Sequence, residues 1–236
     1  MTEIIDGILK AFELIFSGDP RVYDITLRSL YVSGAATLIA ILWGVPIAML
    51  LGLKDFRGKV LVKSVFSTLI GMPTVALGLI LFLILSKGGP LGFLSLLYTP
   101  TAIIIGEALL VTPIVVSFAT TAIEAVDREI MNLAKTLGAS ESQASIAVLK
   151  EALNGVFLAG IASFNRAIAE LGVAILVGGG IAGWTEVLTT GIELETARGN
   201  LEIAIALGII LLAIVFGINL AVNIIQRRTI WTVPSS

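Results

Sequence analysis

The chain contains no cysteine and no histidine, and only 14% of its 236 residues are charged. The absence of cysteine and histidine excludes disulfides, thiol chemistry and the commonest metal sites. No complete phosphate-binding loop occurs, since Gly52 and Gly58 are one residue too far apart and Val60 replaces the required Ser or Thr. We therefore predict that the chain is not an enzyme, binds no metal or cofactor, and has no nucleic-acid partner.

Hydrophobic residues make up 57% of the sequence, and the mean hydropathy is +1.03. A soluble protein of this length needs more polar surface than such a composition supplies. Five continuous apolar runs are each long enough to cross the roughly 30 Å of bilayer hydrocarbon as a helix. We predict an all-α membrane protein, a bundle of about five transmembrane helices. The runs are Leu30 to Leu53, Val60 to Leu85, Thr101 to Ala122, Val156 to Ile181 and Ile203 to Ile225.

The distribution of Lys and Arg predicts the topology. Cations follow the first run, occur within the polar segment Glu124 to Lys150, and follow the last run at Arg227 and Arg228. By the positive-inside rule these regions are cytoplasmic, which places the amino terminus outside and the carboxyl terminus in the cytoplasm. We predict three regions: an outer interfacial helix with its lead-in at 1–26, a transmembrane domain at 27–226, and a cytoplasmic tail at 227–236.

Two segments are predicted at the outer surface. Ile5, Ile8, Phe12 and Phe16 follow a helical spacing that ends at Gly18, which indicates a short helix either lying on the membrane or packed on the bundle. The acidic segment from Trp184 to Arg198 is predicted to be an outer loop, available to a soluble partner or simply solvated.

The polar segment Glu124 to Lys150 has the pattern of two short helices. Apolar residues recur at i, i+3, i+4 and i+7, which predicts one apolar face made of Ile130, Leu133, Ala134 and Leu137. Gly138 then stands where a left-handed residue ends a helix, and Ser140 with Gln143 forms a capping box for the next one. We predict a helical hairpin outside the lipid, with its coupling region at 125–151.

Three ionisable residues interrupt the apolar runs, where an unpartnered charge is costly. Glu107 lies in the third run, where we expect it to be either protonated or hydrogen-bonded. Arg166 and Glu170 are four residues apart and are therefore neighbours on one helical face. They either neutralise each other or leave Arg166 facing a pathway for an anion. We predict that this pathway is lined by the following residues: Arg166, Glu170, Asn165, Ser163 and Thr112.

The hairpin pattern resembles the coupling loop of the permeases of ATP-binding-cassette importers. That family has Glu-Ala-Ala, three residues, Gly, nine residues, then an aliphatic residue and Leu-Pro; here Asn132-Leu133-Ala134, Gly138 and Val148 occupy the matching positions. The chain departs from the pattern at Asn132 and Leu133, and again at Lys150 and Glu151. The resemblance implies that an ATPase contacts the following residues: Asn132, Ala134, Lys135, Gly138 and Ala139.

Downstream segments make the resemblance more specific. Residues 164–172, Phe-Asn-Arg-Ala-Ile-Ala-Glu-Leu-Gly, look like the Arg-Ala-x-Gly-Glu-Phe-Gly stretch of molybdate and sulfate permeases, and 188–190 with 193–199 are most similar to tungstate permease subunits. The resemblance implies a type I importer fold in the cell membrane, a homodimeric pore, two separate ATPase subunits that carry ATP and magnesium, and an extracellular oxyanion-binding protein. Tungstate is the first expectation and molybdate or sulfate the alternative. An ion-coupled secondary transporter and a purely structural subunit are rivals from other classes.

Overall fold

The computed structural model describes the backbone of residues 2–230 and the side chains of residues 7–224, and the described backbone is helical without strands. Within these described residues, three helices each carry an apolar stretch long enough to cross a membrane: α2 at Pro20–Leu53, α5 at Pro100–Glu124 and α10 at Leu201–Ile230. The short helix α1 occupies Thr2–Ser17.

Two further stretches meet the same test only as pairs of helices joined at a sharp bend. Helices α3 at Lys59–Leu69 and α4 at Thr74–Leu85 meet at 98°, and α7 at Glu141–Glu151 meets α8 at Leu153–Ile168 at 65°. Counting each bent pair as one span gives up to five spans among the described residues. The prediction of an all-α membrane protein is thereby confirmed.

The second apolar run differs from the continuous helix that its composition predicts. Its helix stops at Leu69, and Pro73 becomes the residue that precedes α4. A proline disfavours helical geometry in the residue before it, here Met72, which together with the neighbouring Gly71 explains a break rather than a mild kink. Pro46 and Pro113, in contrast, remain inside continuous helices.

The fourth apolar run is also interrupted, so the prediction that one helix extends from Val156 to Ile181 is wrong. Helix α8 ends at Ile168, and the chain resumes as a π-helix at Ala174–Gly178. The carboxylate of Glu170 accepts the backbone N–H of Val173 at 3.0 Å, which replaces a helical bond and stabilises the new start.

Residues 31–179 form one compact unit, whose core is built on close contacts between α5 and α8. Small residues line that contact: a Cβ on Gly155 would stand 2.3 Å from the Cβ of Ala122. Such residues let membrane helices approach closely enough for van der Waals packing to hold them. At the end of this core lie the remaining helices, α6 at Arg128–Thr136 and α7.

Residues 2–30 and 180–230 form a second unit, in which α1 packs on α10 and α9 occupies Leu188–Ala197. Gly7 and the buried Ala11 face α10, whereas Phe16 points outwards. The segment predicted to be an outer acidic loop is largely a buried helix instead. Helix α10 continues to Ile230, so the first four residues of the predicted tail are helical, and residues 231–236 lie outside the described residues.

The buried acids of this second unit explain why the loop prediction is wrong. Glu186 and Glu195 are both fully buried, and Arg21 donates to Oε1 of each, at 3.1 Å and 2.6 Å. Arg198 and Asn200 also donate to Glu195. Burial raises the pKa of Glu195, but these hydrogen bonds together outweigh it and leave its pKa below the ordinary value. The two carboxylates therefore hold α9 in place, and a soluble partner cannot reach them.

Candidate functional site

The first candidate site is the helical hairpin formed by α6 and α7. Asp127 begins α6 by accepting the N–H of Glu129 at 2.9 Å, and Gly138 ends it with φ of +89°. The N–H of Ala139 returns to the carbonyl of Ala134 and that of Gly138 to Lys135, each at 3.0 Å, which is the Schellman arrangement. Because only glycine adopts this φ without strain, the turn itself requires Gly138.

The second helix of the hairpin starts with the predicted capping box. The N–H of Gln143 donates to Ser140 Oγ at 3.3 Å, and the N–H of Ser140 donates to Gln143 Oε1 at 2.8 Å. The predicted sequence of helix, glycine stop and capped helix is therefore present.

The apolar face that the periodicity predicts for α6 is only partly covered by the chain's own core. Ile130 packs with Met131 on the core cluster that contains Ile123 and Val148. Leu133 and Leu137 point away from the chain's own core and are 62% and 80% exposed. One part of this face thus anchors the hairpin, and the other part leaves apolar surface exposed.

The five residues expected to contact an ATPase lie on or beside that exposed apolar surface. The side chains of Asn132 and Lys135 are exposed, Ala134 and Ala139 are half-buried, and no atom would crowd a Cβ on Gly138. Leu133 and Leu137 are on the predicted apolar face but not among the five expected contacts, because spacing alone does not distinguish the part of a face that the chain covers from the part that it leaves exposed.

The second candidate site is a charged group within the unit formed by residues 31–179. Arg166 Nη1 donates to Glu170 Oε2 at 2.6 Å, while Glu170 Oε1 accepts the Val173 N–H. The side chain of Glu170 is 2% exposed and that of Arg166 is 35% exposed. The carboxylate is thus held by two donors, and the guanidinium keeps an accessible edge that an oxyanion could approach.

Glu107 belongs to the same group, although sequence reasoning did not count it among the pathway residues. It is 1% exposed, interacts with the Ser33 side chain, and lies within electrostatic range of both Arg166 and Glu170. The sequence places Glu107 in an apolar run, but no spacing rule relates position 107 to 166 or 170.

The other predicted pathway residues have different surroundings. Thr112 Oγ1 donates to the Ala108 carbonyl at 2.7 Å and accepts the indole N–H of Trp43 at 2.6 Å, so it joins α5 to α2. Ser163 is fully buried and Asn165 half-buried, on the same helix as Arg166. The ion pair and Glu107 therefore lie together, whereas Thr112 serves a contact between helices.

A comparison with protein families matches residues 44–231 to the family described as "Binding-protein-dependent transport system inner membrane component". The chain belongs to that family. This inner membrane component is 41% identical over 228 residues to the tungstate uptake system permease protein of Peptoclostridium acidaminophilum, covering 97% of this chain and 100% of the relative. It is 42% identical over 201 residues to a probable anion ABC transporter permease protein of Haloferax volcanii, covering 83% and 87%.

A solved structure supports the same fold. A chain of the crystal structure titled as an amino acid ABC transporter with histidines superposes with a TM-score of 0.67, covering 92% of this chain and 98% of the other. At 20% identity, the likeness concerns the fold alone. The inner membrane component is thus a membrane-embedded permease subunit of the ABC transporter class, and its family description itself names dependence on a binding protein.

Proposed function

We propose that the protein is the pore subunit of an ATP-driven importer for a tetrahedral oxyanion, with tungstate as the substrate. The observation that supports this proposal most directly is the 41% identity across the whole length of a relative named a tungstate uptake permease. Molybdate and sulfate are the alternative substrates, because permeases named for those anions match less closely, such as the sulfate transport permease of Escherichia coli at 28%. An ion-coupled secondary transporter is the more distant alternative.

The working assembly contains two copies of this chain, two ATPase subunits that bind ATP and magnesium, and an extracellular binding protein that delivers the oxyanion. The hairpin of α6 and α7 lies in the cytoplasm, the amino terminus outside and the carboxyl terminus inside, as the Lys and Arg distribution indicates. The regions 1–26, 27–226 and 227–236 are the outer helix with its lead-in, the permease domain and the tail. Native mass spectrometry of the co-expressed subunits tests the stoichiometry; a complex with one copy of this chain contradicts it.

Substrate identity is tested by uptake into proteoliposomes that contain the chain, its ATPase and its binding protein. ATP-dependent uptake of tungstate, with weaker uptake of molybdate and sulfate, supports the proposal. A preference for sulfate, or uptake driven by an ion gradient without ATP, contradicts it.

ATP-driven opening requires that movement of the ATPase reach the pore through the hairpin. Leu133 and Leu137 supply an apolar contact, and Asn132, Ala134, Lys135, Gly138 and Ala139 surround it. The rigid Schellman turn transmits movement because its backbone bonds leave little freedom between the two helices.

The coupling assignment is tested with a pair of matched arginine variants. Gly138 and Gly199 both have positive φ, +89° and +81°, and both have open space around a Cβ. Gly138→Arg and Gly199→Arg therefore impose a similar backbone strain, but only the first places a bulky cation on the hairpin. We expect Gly138→Arg alone to abolish ATPase co-purification and uptake. Equal effects of the two variants would refute the assignment.

Arg166 is proposed to offset the charge of the passing oxyanion, with Glu170, Asn165 and Ser163 as its surroundings in the pathway. The rival interpretation, a self-neutralising pair, makes a different prediction for the double variant Arg166→Gln with Glu170→Gln. Removing both charges leaves no unpaired ion, so a purely structural pair allows uptake to continue. We expect uptake to fall at least ten-fold in the double variant at normal membrane abundance. Uptake close to that of the unchanged protein would contradict the pathway role.

A further inference from the structure

The charged group around Arg166 contains one more carboxyl group than basic groups. Glu107, Glu170 and Arg166 interact electrostatically, and both carboxyl groups are almost completely buried. If all three were ionised, the group would carry a net charge of −1 inside a membrane-spanning unit. An uncompensated buried charge is costly enough that a side chain usually neutralises instead.

The hydrogen bonds distinguish the two carboxyl groups. One oxygen of Glu170 accepts a hydrogen bond from the Arg166 guanidinium, and the other accepts one from the Val173 N–H. Such bonds stabilise the ionised form of a buried carboxyl group. Glu107 interacts with the Ser33 side chain, and its Oε2 has no hydrogen-bond partner among the described residues. Arg166, the guanidinium that interacts with Glu107, is already bonded to Glu170.

We propose that Glu107 carries a proton and is a neutral carboxylic acid, so that the group of Arg166, Glu170 and Glu107 has no net charge. The groups that face Glu107 are Ser33 from α2 and, from α8 and the residues after it, Arg166 and Glu170. A neutral Glu107 leaves the Arg166 charge balanced by one carboxylate instead of two. A second buried carboxylate would repel an approaching dianion.

This inference rests on the proposed function for its role in transport, but the protonation state itself is measurable without transport. Infrared spectroscopy of the purified full-length protein in lipid nanodiscs at neutral pH detects the C=O stretching band of a protonated carboxyl group. We expect Glu107→Gln to lose that band. Glu195→Gln is the matched control, because Glu195 is equally buried but is held as a carboxylate by Arg21 and Arg198, so that its loss leaves the band unchanged. A band of unchanged intensity in Glu107→Gln would overturn the proposal.

Uptake in the same variant tests the consequence. Glutamine copies the size and neutrality of a protonated glutamate, so we expect Glu107→Gln to lose less than ten-fold of the oxyanion uptake. A loss of ten-fold or more, with normal thermal stability, would mean that transport requires an ionised Glu107 and would refute the role given to neutrality. If the importer assignment fails, the infrared result still tests the protonation state of Glu107 independently.

Discussion

Gly172 lies so close to Thr74 that a Cβ atom added to Gly172 would stand 2.6 Å from Thr74 Oγ1. The same Cβ would stand 3.0 Å from the backbone nitrogen of Val75. Thr74 begins α4 after the break in the second apolar run, and Gly172 lies in the break of the fourth. The two interruptions therefore pack against each other, in a contact with no room for a methyl group.

Replacing Gly172 with alanine should destabilise this contact. The added methyl must displace the first turn of α4, and overpacking of this kind costs about 1 to 3 kcal/mol. We expect a lower apparent melting temperature for Gly172→Ala, measured by thermal unfolding of the purified protein. Gly208→Ala is the control, since its Cβ would meet nothing within 4 Å; an equal shift in both variants would count against the tight contact.

Replacing Glu195 with glutamine should lower stability in a pH-dependent way. The folded-state pKa of Glu195 is below its unfolded value of about 4.3, so its stabilisation is present above that value and disappears as pH falls through the folded pKa. Losing hydrogen bonds to a charged group costs about 1.5 to 3 kcal/mol at neutral pH. The melting temperatures of both proteins should therefore converge as pH falls below the unfolded value and through the lower folded-state pKa. Glu193→Gln, at an exposed position of the same helix, should change little at any pH.

Replacing Thr112 with valine should affect stability rather than transport. The variant removes the bond that Trp43 donates, and such bonds between membrane helices contribute about 0.6 kcal/mol on average. We expect a small drop in melting temperature with uptake near that of the unchanged protein. A strong loss of uptake without a change in stability would restore Thr112 to the pathway.

Replacing Leu137 with serine should weaken binding of the ATPase and leave the chain's own fold intact. The side chain is exposed, so it contributes little to the core, whereas burying a leucine in a partner contributes about 1.5 to 3 kcal/mol. We expect the Kd for the ATPase to rise about ten-fold or more. Leu153→Ser, exposed on α8 outside the hairpin, is the matched control for general loss of apolar surface.

The sequence by itself determined the class of the protein and its local elements. Long apolar runs require a lipid environment, and the Gly138 stop with the Ser140 capping box follows from bonds between residues a few positions apart. The Arg166 and Glu170 pair is local in the same way, because residues four apart on a helix are neighbours.

Only the tertiary structure decided which distant residues meet. It joins Arg21 to Glu186 and Glu195, which are 165 and 174 positions away, and so buries two acids that composition alone places in a solvated loop. It brings Glu107 to the Arg166 pair and sets the break of one apolar run against the break of another. The physical reason is that apolar spacing determines how much of a helix surface must be covered. Close packing and the pairing of buried charges determine which residues cover it.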